Sequence, residues 1–283
     1  MGITGFSGIV FNGINVAVYL KMGLGDTVNI TLLGLALADL GSSVVLVLLN
    51  CFSYPDLIFD YLPVSYLITW LHIGFTRVSS CLTAYITVER YLCVALPLKV
   101  KSIITPRRTA CIVSGIFAAM MSSMILPFFA TRIDSVSNPF TNRSTLSLKF
   151  IPNGQELERA SVTINNVSIL SSFPSVTLCT CLLIFKLLSK TKWRNTISSS
   201  AKNETMAVRD LKVVRMITSI SCVFIASYLP VAVITAAMLA YPELSVTGDY
   251  SNVLTVVWCV ATLLEGVNAT TGIFVYMKMS SKY

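Results

Sequence analysis

Long apolar runs alternate with short polar stretches along the whole chain. Covering the roughly 30 Å of hydrocarbon in a bilayer takes about 20 mostly apolar residues in a helix. Seven runs reach that length: Ile3–Leu20, Val28–Asn50, Pro63–Tyr91, Arg108–Ala130, Val162–Leu188, Leu211–Ala240 and Tyr250–Met277. Between them lie Lys21–Asp26, the acidic Tyr54–Tyr61, the basic Lys99–Arg107, the long polar segment Arg132–Ser161, the basic Lys190–Arg209 and Tyr241–Asp249. No internal repeat is visible, and Ser198–Ser200 is the only low-complexity tract. The pattern predicts an all-α membrane protein, a seven-helix bundle formed as one domain over residues 1–283.

Composition supports this reading. Charged residues make up 12% of the 283 and hydrophobic residues 54%, with a mean hydropathy of +0.75. A soluble domain carries about 25% charged residues. Too little polar surface remains to wrap a water-soluble core, so a soluble enzyme, a disordered regulator and a nucleic-acid-binding protein all fit poorly. The single histidine, His72, excludes His-rich zinc sites and leaves little room for a Ser-His hydrolase, so no enzymatic activity is expected.

The net charge of +8 is distributed unevenly. One set of loops collects Lys21, Lys99, Lys101, Arg107, Arg108, Lys186, Lys190, Lys192, Arg194, Lys202, Arg209, Lys212, Arg215, Lys278 and Lys282. The other set holds only Arg132, Arg143, Lys149 and Arg159, offset by acids. Basic loops stay on the cytoplasmic side, which places the N-terminus outside and the C-terminus inside. The positive charge then reflects topology and attraction to anionic inner-leaflet lipid, with no nucleic-acid partner. The eight cysteines fall in or at the edge of the apolar runs and read mostly as small buried hydrophobes. Of the Asn-x-Ser/Thr sequons, Asn142 lies in the long outer segment and is the candidate for glycosylation; Asn166 is borderline.

An ionisable group at the bilayer centre costs about 2.5–3.5 kcal/mol on insertion scales, so each one asks for a reason. Asp39, His72, Arg77 and Glu265 are such groups. Asp39 lies eleven residues into its run, about 16 Å deep, and has to face a polar interior. At the other end of the third run stands Val88-Glu89-Arg90-Tyr91, which taken alone is either an interfacial helix cap or a functional pair. It is accompanied by Asn15 in the first run, Phe224 and Pro230 in the sixth, and Gly272-Ile-Phe-Val-Tyr276 in the seventh. Taken together, this set resembles the rhodopsin-like (class A) G-protein-coupled receptors, in order and spacing over the whole chain. More narrowly, Asn29–Leu40, Leu96–Arg108, Lys190–Arg194 and Tyr276–Tyr283 look like the chemosensory-receptor-like group of gastropod molluscs.

The resemblance implies roles. Arg90 would hold the resting state by pairing with Glu89 and with an acid at the inner end of the sixth span, where Asp210 fits, and would then contact a heterotrimeric G protein together with Tyr91. Asp39, Ser79 and Asn268 match the positions of a buried sodium ion, and no other cofactor is implied. His72, Arg77, Tyr228 and Glu265 line the expected ligand pocket, and Asn15, Phe224, Pro230 and Tyr276 belong to the switch. Pro230 removes a backbone hydrogen bond and kinks its helix, which provides a pivot. The implied partners are an extracellular small-molecule or peptide ligand, a G protein and the lipid bilayer, at the plasma membrane.

His72 is either a contact for an acidic or hydrogen-bonding ligand or a histidine satisfied by a backbone carbonyl; its ordinary pKa of about 6.5 permits pH-dependent affinity. Arg77 and Glu265 read as a buried interhelix ion pair, or as a pair for whose members a ligand carboxylate or ammonium competes. Residues 72 and 77 point about 140° apart on a helix and need not share a pocket wall.

There are departures from the family pattern. Ser65 stands where the outer disulfide would start, so the outer loop is held by packing or is free to move. Tyr228 replaces a tryptophan and Gly272-Ile273 an Asn-Pro, which puts the toggle and the swing of Tyr276 in doubt. The short N-terminal lead and the stop at Tyr283 suggest truncation at one or both ends, leaving a non-signalling product open. No lysine lies between Asp249 and Met277 to bind retinal, and no Asp stands at position 72 for an amine. The alternatives are a neuropeptide receptor and, from another class, a secondary transporter or channel, although no inverted repeat is present.

If Asp210 latches Arg90, Asp210→Ala raises basal signalling in a reporter cell. Unchanged output at matched surface expression rules the latch out.

Overall fold

The computed structural model describes residues 2–52, 61–138, 143–194, 201–241, 243–244 and 249–279, without the side chains of 61–62, 97–98, 101, 136–138, 143–145, 187–194, 201–213 and 274–279. Among the described residues the chain forms α1 (Gly2–Met22), α2 (Thr27–Phe52), α3 (Tyr61–Ala95), α4 (Pro97–Ile103), α5 (Pro106–Ala130), strands β1 (Thr131–Asn138) and β2 (Arg143–Phe150), α6 (Gly154–Arg194), α7 (Ala201–Ala240) and α8 (Ser251–Met279). The seven long helices correspond one to one with the seven apolar runs and form a seven-transmembrane bundle.

The packing inverts the pattern of a water-soluble helix. On α1 the buried positions are Gly5, Gly8, Asn12, Asn15 and Tyr19, three and four residues apart, whereas Ile3, Phe6, Val10 and Ile14 on the opposite face are exposed. Lipid tails are as apolar as leucine, so large apolar side chains gain nothing by turning inward, while small and polar ones let backbones approach and bond. Gly8 illustrates the close approach: a Cβ there would run into the Ser43 side chain of α2.

Six of the seven long helices are apolar enough by composition to cross a membrane, with mean hydropathies between 1.5 and 2.3. The exception is α3, which carries His72, Arg77, Glu89 and Arg90. It packs against α2, α5, α6 and α7, while α1 closes the ring between α2 and α8. Hydroxyls tie α3 to its neighbours: Ser80 to Ser172 of α6 at 2.6 Å, Thr87 to Ser221 of α7 at 2.9 Å and Tyr85 to Thr109 of α5 at 3.2 Å. The apolar core beside them includes Val78, Leu82, Ile86 and Ile217, each fully buried.

Local chemistry sets the helix ends, and these differ from the edges of the apolar runs. Gly23, at φ 84°, supplies the left-handed residue after α1. Thr105 accepts a hydrogen bond from Arg108 N just before Pro106 opens α5. Arg108 reaches back to the carbonyls of Ser102 and Ile103 at the end of α4. Helix α6 begins eight residues before Val162 and α7 ten residues before Leu211. An apolar run reports where hydrocarbon begins, and a helix continues beyond it through polar residues.

The segment expected to be a polar loop, Arg132–Ser161, instead holds an antiparallel hairpin paired from Thr131↔Phe150 to Asn138↔Arg143. One face carries Ile133, Leu146, Leu148 and Phe150, and on the other Asp134 pairs with Arg132 at 3.1 Å and Lys149 at 3.5 Å. All eight cysteines are free thiols. In place of a disulfide near Ser65, Tyr66 donates to Glu158 of α6, and β2 packs on α3.

Among the described residues, Pro127, Pro174 and Pro230 sit in helix interiors. Pro127 cannot donate to the Ser123 carbonyl four residues earlier. Ser161 of α6 supplies the missing donor at 2.8 Å, the kind of repair that lets a helix with proline persist in lipid. Ser161→Ala is expected to cost about 1 kcal/mol, lowering the thermal midpoint of the detergent-solubilised protein by about 2–4 °C. An unchanged midpoint overturns this account.

Candidate functional site

Three polar levels lie along α3. At the end next to α4, Arg90 pairs with Glu89 through its Nη2. Thr27, in the first turn of α2, donates to the same Glu89 oxygen at 2.6 Å, and Arg90 Nη2 lies 3.5 Å from the Thr27 hydroxyl. The positive end of the α2 dipole adds to the field that holds the Glu89 carboxylate. Glu89 is 1% exposed, so its carboxylate is sealed, while the Arg90 side chain stays partly exposed. Tyr91 turns away from it and receives the Lys186 ammonium over its ring at 5.2 Å.

At the middle level, Ser79 donates to Asp39 Oδ1 at 2.7 Å. Asp39 lines a cavity of about 20 Å³ together with Asn12, Asn15, Thr83, Asn268 and Thr271. That is room for about one water or small cation and far too little for an organic ligand. Asn12 donates to the Ala269 carbonyl of α8 at 2.8 Å, and Asn15 Nδ2 lies 3.5 Å from Asn12 Oδ1, which ties α1 to α8 beside the cavity. A single carboxylate with neutral oxygen donors suits a hard monovalent cation. Among the described residues no group of three or more His, Cys, Asp or Glu side chains is placed to hold a metal.

Toward the hairpin end, Glu265 of α8 bridges two residues of α3. Arg77 Nη2 lies 3.1 Å from its Oε1 and His72 Nε2 3.8 Å from its Oε2. Residues 72 and 77 diverge around the helix, and the long Arg77 side chain brings both to one carboxylate. His72 Nδ1 sits 3.3 Å from both the hydroxyl and the carbonyl of Ser42. Tyr228 donates to the Thr76 carbonyl at 3.1 Å and stacks on Phe224 at 4.3 Å, 20° from parallel. Exposures of 3% for His72, 2% for Arg77, 1% for Tyr228 and 4% for Glu265 close this level from solvent.

The structure therefore brings together Asp39 with Ser79 and Asn268, Glu89 with Arg90, and His72 with Arg77 and Glu265. Asn15 joins the cavity wall, Pro230 lies inside α7 two residues from Tyr228, and Phe224 lies under the Tyr228 ring. Asn142 and the side chains of Asp210 and Tyr276 lie outside the described residues, and with them the expected Arg90–Asp210 latch. Thr27, Asn12, Ser42 and Thr76 escaped the sequence reading. Asn12 carried a signal, an amide three residues before Asn15 within an apolar run. Thr27 and Ser42 carried none, since hydroxyls are common in such helices, and Thr76 contributes only its backbone carbonyl.

The chain matches the family described as 7 transmembrane receptor (rhodopsin family) over residues 14–269. It belongs to that family, a class of multi-pass membrane receptors whose general partners are an extracellular ligand and a G protein. A comparison with curated proteins gives no match.

The Thr27–Glu89 bond joins a neutral donor to a buried carboxylate. A double-mutant cycle with Thr27→Val and Glu89→Met, read by thermal unfolding, is expected to give a coupling of about 1–2 kcal/mol. Simple additivity of the two replacements contradicts the contact.

Proposed function

We propose that this receptor sits in the plasma membrane with its N-terminus outside, binds an external chemical ligand in a chemosensory role, and activates a heterotrimeric G protein. The observation that carries the reading is the grip on Arg90 at the α4 end of the enclosed α3, where Glu89 and Thr27 hold a guanidinium that a cytosolic partner could capture. A ligand at the hairpin end that favours a second packing of α3 against α2, α7 and α8 shifts the population in which Arg90 is free. The excess of basic residues in the loops at the α4 end supports the orientation. Membership of the receptor family sets the transporter and channel alternative aside.

The ligand-binding level is His72, Arg77, Tyr228 and Glu265. Its closely packed polar groups suit a small molecule better than a peptide, so the neuropeptide alternative has less support. His72 is satisfied by Ser42 on one nitrogen, which makes it part of the support as well as a potential contact. In the middle level Asp39, Ser79 and Asn268 would hold a sodium ion that lowers the cost of burying the carboxylate. Phe224, Tyr228 and Pro230 on α7, together with Asn15 and Tyr276, make up the proposed switch, and Asn142 is the proposed glycosylation site.

The test is stimulated nucleotide exchange on a panel of G proteins by membranes carrying the full chain, screened against odorants and peptides. At least one pairing is expected to respond, and silence across the panel from surface-expressed receptor defeats the proposal. Once an agonist is in hand, sodium is expected to lower its affinity in the native chain and to have no effect in Asp39→Asn. Persistence of the sodium effect in that variant rules out the ion site.

A further inference from the structure

The hairpin-end cluster has more hydrogen-bond donors than acceptors. Arg77 Nη2 is bonded to Glu265, but Arg77 Nε and Nη1 are buried without a hydrogen-bond partner, and so is His72 Nε2. A guanidinium offers five N–H donors in a planar fork that fits carboxylates. A carboxylate has more acceptor sites than the Arg77–Glu265 bond uses. Burying an unpaired donor costs about 1–3 kcal/mol, so the two unused guanidinium nitrogens beside Glu265 form an arrangement ready for another acceptor.

Charge decides which acceptor. Arg77 and Glu265 cancel, and a neutral His72 leaves the cluster without net charge. An added carboxylate would then lie buried beside Glu265 with nothing to balance it, which is strongly unfavourable. A proton on His72 restores the balance and turns His72 Nε2 into a donor between the two carboxylates.

We propose that His72, Arg77 and Glu265 receive the carboxylate of a small organic acid, which Arg77 holds through its unused nitrogens while His72 takes up one proton from solvent. The acid thus enters as an anion with one proton, and no net charge is buried. This inference rests on the ligand-binding reading above and names the ligand class for it.

Among the described residues, the charged groups facing His72 are Glu265 on α8 and Arg77 on its own helix. On α7 the Tyr228 hydroxyl is committed to Thr76, and on α2 Asp39 is bonded to Ser79. Helices α5 and α6 meet this stretch of α3 with Met124 and with Ser168, which bonds the Cys81 thiol. Among the described residues no second carboxylate pairs with the Arg77 guanidinium, whose Nε and Nη1 are left for a ligand.

The experiment uses the full chain purified in nanodiscs and reads thermal unfolding against acetate, butyrate, hexanoate, octanoate and benzoate, each paired with its primary amide. At least one acid is expected to stabilise the protein where its amide does not. The apparent affinity should weaken as the pH is raised, because binding takes up a proton on His72. In His72→Gln that pH dependence should flatten. Arg77→Gln leaves Glu265 alone and can misfold, so the folded control is Arg77→Gln with Glu265→Gln, which removes both charges and should bind none of the acids. Glu265→Ala opens space beside Arg77, and acetate, but not acetamide, should raise its midpoint. Equal effects of acids and amides, acid binding that survives the double replacement, or a slope unchanged in His72→Gln overturns the proposal. Acid binding without nucleotide exchange defeats only the signalling proposal, and exchange driven by neutral ligands without acid binding defeats only this one.

Discussion

Hydrocarbon cannot hydrogen-bond, so every polar group carried into the bilayer has to find its partner inside the protein. In this chain that constraint falls mainly on α3. It carries His72, Arg77, Glu89 and Arg90 and is too polar to face lipid along its length. The bundle therefore forms around it, with α2, α5, α6 and α7 covering its sides. Glu265 reaches it from α8, Asp39 and Thr27 from α2, and Tyr228 from α7. Enclosure and polarity require each other: without the surrounding helices α3 could not be buried, and without its polar groups the helices would have fewer directional contacts to fix how they meet.

The same constraint explains why the contacts are numerous and small. Where burial of apolar surface offers little net gain, association rests on close backbone approach and on hydrogen bonds between helices. Serine and threonine hydroxyls at Ser80, Thr87 and Thr109 provide them, and Ser161 closes the gap that Pro127 opens in α5. Each such bond is worth only about 1 kcal/mol. A structure held by many weak links can exchange one set for another at modest cost, which is a property a two-state receptor needs. The hairpin end follows the same logic: the Tyr66–Glu158 bond and a hairpin packed on α3 hold it without a covalent bridge.

Because the three polar levels share one helix, they are mechanically connected. From His72 to Glu89 is 17 residues, about 26 Å of rigid α-helix. A shift of α3 against α2 would act on Ser42–His72, Asp39–Ser79 and Thr27–Glu89 together, because α2 contributes a partner at every level. The middle level holds a small cavity, with room for a cation or water and no more.

Much of this could be read directly from the residues. The seven runs, the ionisable groups at Asp39, His72, Arg77 and Glu265, and the Glu89-Arg90 pair were visible because hydropathy and the cost of buried charge depend on residue type alone. The hairpin at 131–150 was not, since its strands are rich in serine and polar residues and pair only when α3 and α5 present a surface to them. Nor were the helix ends, which capping groups and prolines set locally. Sequence by itself determined which side chains could not be left facing lipid. Only the tertiary structure decided their partners: Thr27 for Glu89, Ser42 for His72, one carboxylate shared by His72 and Arg77. Those pairings depend on the rotation and depth of helices distant in the chain, and rotation and depth are settled by packing rather than by composition.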